Sequence, residues 1–136
     1  MKATPQQSAL ALLRIAMGIN FLGHGLVRFS KLDSFRDWMA TTFQDSLIPA
    51  WLVTIWGSIL PFLEFGIGLL LVLGLFTYRA SIAGALVIII LLLGSTLIEN
   101  WDWAGMQMIY ALCFYFIINN TDQNHWSIDK LIQAQK

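Results

Sequence analysis

Long apolar runs separated by brief polar ones dominate this chain. A helix needs about 18–25 mostly apolar residues to cross a hydrocarbon core of roughly 30 Å. Residues 8–29, 48–76 and 78–98 reach that length, and the second run is long enough to tilt or to bend at Pro61. A fourth run, residues 103–118, is shorter, but Trp101 and Trp103 stand at its start and Asn119 at its end. Aromatic side chains favour the headgroup level, so this run also reads as a span. The pattern predicts an all-α, polytopic membrane protein: a bundle of four transmembrane helices.

The linkers between the spans are short except the first, KLDSFRDWMATTFQDSLIP. In it Leu32, Phe35, Trp38, Met39 and Phe43 recur at helical spacing, with Asp33, Arg36, Asp37 and Asp45 between them. SFRD has the form of a capping box, with Ser34 as the cap and Asp37 three residues on. The expected element is a short amphipathic helix over residues 33–45, lying in the membrane interface or folded over the bundle.

Composition turns the pattern into a statement about solvent. Of 136 residues, 57% are hydrophobic and 12% charged, and mean hydropathy is +0.67. Soluble domains carry about 25% charged residues. One domain of this size, residues 1–136, could not hide so much apolar surface from water, so its partner is the lipid bilayer. Formal net charge is zero and there is no basic patch, which argues against a nucleic-acid partner. The N-terminal run reads as a retained membrane helix rather than a signal peptide, because its basic region is Lys2 alone and Arg14 interrupts it. Four spans put both termini on one side with Lys2, Arg79, Lys130 and Lys136. The other side holds Arg28, Lys31 and Arg36. Four basic residues against three favour cytoplasmic termini.

Polar residues inside the spans carry the most information, since each needs a partner where there is no water. The first span holds Arg14, Asn20, His24 and Arg28, the second Glu64, and the fourth Gln107, Tyr110 and Tyr115. With the first span centred near Ile19 and the second near Phe62, the helical rise of about 1.5 Å puts Glu64 within one arginine's reach of Arg14. The expectation is therefore an Arg14–Glu64 pair. Such a pair either fixes helix register or marks a polar site that a substrate or proton enters. Gly57, Pro61, Glu64 and Gly68 share one side of the second helix, where a second backbone can approach or a groove can form beside the carboxylate. Ala80, Ser81, Gly84 and Ala85 make a similar small face for packing on the third. Asn20, His24 and Arg28 step by four, and Gln107, Tyr110 and Phe114 share a face of the fourth span.

Several chemistries fall away. Cys113 is the single cysteine, which excludes an intramolecular disulfide or a dithiol mechanism and suits a small buried hydrophobe. His24 and His125 fall on opposite sides of the membrane in this topology, which argues against haem between them. No cluster has metal-ligand spacing, and there is no phosphate loop or serine elbow. No covalently bound cofactor is indicated, and the sequence leaves open whether the protein is an enzyme and which residues would be catalytic.

LLRIAMGINFLGHGLVRF resembles the opening of the DoxX family, with an early Arg and a His-Gly followed by a basic residue. PFLEFGIGLLLVLGLFTYRAS resembles the family's second span, an acid before Gly-rich apolar residues and a basic turn. The resemblance implies a four-helix bundle in a prokaryotic inner membrane and a loose association with respiratory or sulfur redox chemistry. Relatives include the membrane part of a thiosulfate:quinone oxidoreductase, but no domain for thiosulfate chemistry is recognisable here. Arg14, His24, Arg28 and Glu64 would be the family's polar positions, without an assigned catalytic role.

The resulting expectation is a ligand site for a quinone, formed by Arg14, Asn20, His24, Arg28, Glu64, Gln107 and Tyr110, with electrons supplied by a redox-protein partner. Two other classes stay open: a non-catalytic scaffold for a redox complex, and a small-solute or proton permease, which would need a homo-oligomer.

Overall fold

The computed structural model describes residues 3–135, and every regular element in it is helical. Lys2 and Lys136, two of the four basic residues counted for topology, lie outside the described residues. Helix α1 (Pro5–Phe29) begins with a capping box. The Thr4 hydroxyl accepts from the Gln7 amide at 3.2 Å, and the Gln7 side chain accepts from the Thr4 amide at 3.0 Å. Pro5 at the first turn gives up an N–H that would have no intrahelical partner. Helix α2 (Leu32–Thr42), α3 (Ala50–Leu73), α4 (Thr77–Leu97) and α5 (Trp101–Asn119) follow. A 3₁₀ turn at Thr121–Gln123 and the short α6 (Ile128–Gln133) complete the order.

Among the described residues α1, α3 and α4 are long and apolar enough to cross a membrane. α5, expected as the fourth span, is a 19-residue helix that is not one of the three. The expected Ser34 cap is not formed. α2 starts after Lys31, which makes no side-chain capping bond, and Ser34 lies inside the helix. The reason is the tight turn out of α1: the Phe35 amide already donates to the Lys31 carbonyl at 2.9 Å, one turn earlier than a Ser34 cap would allow. This phase buries Phe35 and Met39 against the bundle.

The pairing of α1 with α3 is the closest in the molecule, and small residues make it so. α1 buries Leu10, Ala11, Arg14, Met17, Gly18, Phe21 and Gly25 along one stripe. α3 answers with Val53, Gly57, Leu60, Pro61, Glu64, Ile67, Gly68 and Leu71. A Cβ on Gly25 would lie 2.6 Å from the Phe65 amide nitrogen, one on Gly18 would lie 2.8 Å from that of Val72, and one on Gly68 would collide with the Leu22 backbone. These approaches put Glu64 level with Leu26 rather than with Met17, where equal centring of the two spans places it.

Across the bundle α4 packs on α5. Gly84 leaves the space that the Phe114 ring fills, and Phe114 meets Phe21 of α1 edge to face, 5.4 Å between ring centroids. Helix α3 ends with Gly74 in the left-handed region at φ 65°, and the Leu75 amide closes back on the Leu70 carbonyl at 3.0 Å. This is the six-to-one bond that terminates many helices. Asp129 of α6 then accepts from the Phe76 and Thr77 amides, both at 2.8 Å, and so caps α4 from the far end of the sequence.

Candidate functional site

A cavity of about 630 Å³ lies at the end of the bundle where α1 finishes and α3 starts. Helices α1, α3, α4 and α5 form its walls. Phe35, Trp38, Met39 and Phe43 from α2 and the residue following it form a roof. Phe21 forms the floor, backed by the fully buried Phe114. Most of the lining is apolar, including Leu60, Ile88 and Leu91.

Six of the seven residues expected at the site line this cavity: Asn20, His24, Arg28, Glu64, Gln107 and Tyr110. Their convergence follows from helical spacing. Asn20, His24 and Arg28 rise along one face of α1, Glu64 projects from the α1-facing stripe of α3, and Gln107 and Tyr110 share a face of α5.

Arg14 does not belong to the cavity, and it does not pair with Glu64. The carboxylate of Glu64 accepts both its hydrogen bonds from one nitrogen, Nη1 of Arg28. The side chains of the pair are 22% and 5% exposed, so the charges meet largely out of water. The register of α1 against α3 decides the partner. With Glu64 level with Leu26, Arg28 is less than one turn away and Arg14 is more than three turns away. Arg14 is instead buried, 1% exposed, at the opposite end of the bundle. Its Nη1 donates to the Leu71 carbonyl and, at 3.1 Å, to that of Val72. Its Nη2 donates to the Trp126 carbonyl at 2.5 Å. Leu71 and Val72 lie in the last turn of α3, whose carbonyls lack the donor four residues on and carry the negative end of the helix dipole; that of Leu71 also accepts from the Gly74 amide at 3.2 Å. A buried cation is thus held by backbone oxygens.

The other polar groups offer complementary capacities. Nδ1 of His24 donates to the Asn20 carbonyl at 2.9 Å, so a neutral imidazole presents Nε2 as an acceptor. The Arg28 guanidinium also lies over the Phe35 ring, 4.5 Å from its centroid. This contact ties the roof to the ion pair and is worth about 0.5–2 kcal/mol. Trp38 stacks on Phe35 and meets Trp103 of α5. Oε1 of Gln107 is buried without a hydrogen-bond partner among the described residues. Ser95 of α4 also lines the cavity, 2% exposed, although its span reads as nearly featureless. The apolar spacing in the first linker was the available signal for the roof. Nothing in the sequence marked Ser95 beyond its being polar. Among the described residues no group of His, Cys, Asp or Glu could hold a metal ion.

A family model described as DoxX matches residues 9–101, more than half of the chain. The match takes in Asn20, His24, Arg28 and Glu64 and ends at the first residue of α5, before Gln107 and Tyr110. No curated protein and no solved structure matches the chain.

Proposed function

The chain belongs to the DoxX family of membrane proteins, and on that premise we propose that it binds a quinone in the cavity roofed by α2. One observation carries the reading: a cavity of about 630 Å³ with mainly apolar walls gathers an ion pair, two amides, an imidazole and a phenol. Ligand sites are typically about 300–1,000 Å³, apolar, and furnished with a few convergent polar groups. Arg28, Tyr110 and the Gln107 amide can donate to the carbonyl oxygens of an oxidised head group. Glu64 and Nε2 of His24 can accept from the hydroxyls of a reduced one. The protein would supply the site, and electrons would come from a redox-protein partner.

In this reading α5 is the fourth span. Its 19 residues measure about 28 Å at 1.5 Å per residue, close to the hydrocarbon thickness. α2 then lies at the interface over the cavity, both termini are cytoplasmic, and the membrane is the inner membrane of a prokaryote. Arg79 and Lys130 stand at the terminal end.

The test is thermal stabilisation of the purified protein by a quinone analogue. Ligand at about 100 times its Kd should stabilise the native state by roughly 2.7 kcal/mol. Tyr110→Phe removes only a hydroxyl, so it should reduce that shift while leaving the unliganded melting temperature nearly unchanged. A scaffold for a redox complex predicts no shift with any quinone in any variant, with losses confined to folding or to partner recovery. That result would end the ligand reading.

A further inference from the structure

The cavity is continuous from the buried core to the lipid-facing surface. Its lining joins Leu60 and Ile88, 1% and 3% exposed, to Leu52, Ile90 and Leu93, 42%, 45% and 59% exposed. These three stand on α3 and α4, while the other exposed apolar residues of the lining, Trp38 on α2 and Trp103 and Met106 on α5, are 44%, 38% and 51% exposed. The seam between these helices differs from the others in the bundle. α3 meets α1 backbone to backbone through Gly18, Gly25 and Gly68. α4 meets α5 through Gly84, which receives Phe114. At the cavity end of α4 the small residue is Gly94, and what faces it is Phe43, from the segment after α2, 3.4 Å from where a Cβ would stand. A side chain of the linker, rather than helix-to-helix packing, fills that end of the seam.

Charge selects the head group. Arg28 and Glu64 already neutralise one another inside the cavity. A charged head group would bring an uncompensated charge into an apolar site, which is unfavourable. An uncharged head with donors or acceptors would meet Gln107, Tyr110 and His24 without that penalty.

We propose that the α3–α4 seam beside Phe43 is a lateral portal, through which a membrane-partitioning amphiphile with an uncharged polar head enters from the bilayer. Its head reaches the Arg28–Glu64 pair, and its hydrocarbon tail stays in the seam between Leu52 and Leu93. This deepens the quinone reading and rests on the same cavity. It adds a route and a tail site, and it requires the ligand to come from lipid rather than from water.

The experiment uses the full chain in lipid nanodiscs and two analogues with the same quinone head, one tailless and one with a long saturated chain. Leu93→Trp narrows the seam from its lipid-facing side without touching the polar groups. Leu52→Trp does the same from α3 should the first variant fail to fold. The tailed analogue should bind the narrowed protein at least about tenfold more weakly, because tail methylenes lose their burial, while the tailless analogue is unaffected. Equal effects on both analogues, or none on either, overturn the portal. If neither analogue binds wild type, the quinone reading fails, and a long-chain alcohol with a diazirine beside its hydroxyl end tests the portal alone. Photolabelling should then reach Trp56 and Leu91, which line the cavity, and should be lost in Leu93→Trp. Labelling confined to Ile55 and Ile59 on the outer face of α3, or labelling of Trp56 and Leu91 that survives the substitution, overturns it.

Discussion

Arg14 and Arg28 stand on one helix, about four turns apart, and each is drawn into the bundle. Their surroundings differ in kind. Arg14 is held by three main-chain carbonyls, two from the end of α3 and one from the segment before α6. The space around it is filled: a Cβ on Gly74 would lie 2.6 Å from its Nη1 and 2.5 Å from the Ser127 Cβ. Arg28 is held by a side chain, Glu64, and borders a cavity. The difference teaches that a buried arginine is not by itself a sign of a site. Where the chain's own carbonyls hold both terminal nitrogens of the guanidinium and no space remains beside it, it is a fastener that joins the ends of distant segments. Where one carboxylate consumes a single nitrogen and space remains, donors are left for a ligand.

The sharpest way to break this comparison is a double-mutant cycle. Glu64→Gln should destabilise the protein by about 3–5 kcal/mol, since the Arg28 charge is left without its partner. Adding Arg28→Gln should recover part of the loss. The same cycle with Arg14→Gln should be additive to within about 0.5 kcal/mol, because the sites are far apart. Coupling to Arg14 rather than Arg28, read from chemical or thermal unfolding in detergent, would reverse the pairing.

A smaller effect is expected at the closed end. Arg14→Lys keeps the charge but loses the planar fork that reaches carbonyls of two segments. A hydrogen bond to a charged group is worth about 1.5–3 kcal/mol, so a loss of about 2–3 kcal/mol should follow. The quinone-induced shift in melting temperature should persist in this variant, and its disappearance would join the two ends into one functional unit.

The smallest effect is expected at Asp129→Asn. The carboxylate caps α4 through two amides, and Asn can accept from only one of them in the same pose. Losing such a cap costs about 0.5–2 kcal/mol. Protease cleavage after Lys130 should become faster as the C-terminal segment loosens, with ligand binding unchanged. An unchanged cleavage rate would show that α6 is held by contacts other than this cap.

Hydropathy runs alone placed α1, α3 and α4 to within a few residues, because in lipid a spanning segment must satisfy its own backbone and be apolar over a definite length. Helical periodicity also singled out the side chains that meet: the Asn20–His24–Arg28 face, Glu64, and the Gln107–Tyr110 face all reach one cavity. Which arginine meets Glu64 was beyond the sequence. That choice depends on the register of α1 against α3, set by where Gly18, Gly25 and Gly68 let two backbones touch, and counting from span centres carries no such information. The role of Arg14 was hidden for a related reason. Its partners are backbone carbonyls, which every residue possesses and no sequence marks, and one of them, that of Trp126, is brought to it only when Asp129 docks the C-terminal segment on the α3–α4 turn. Local chemistry and periodicity are written along the chain, whereas register and main-chain pairing between distant segments exist only once the helices have packed.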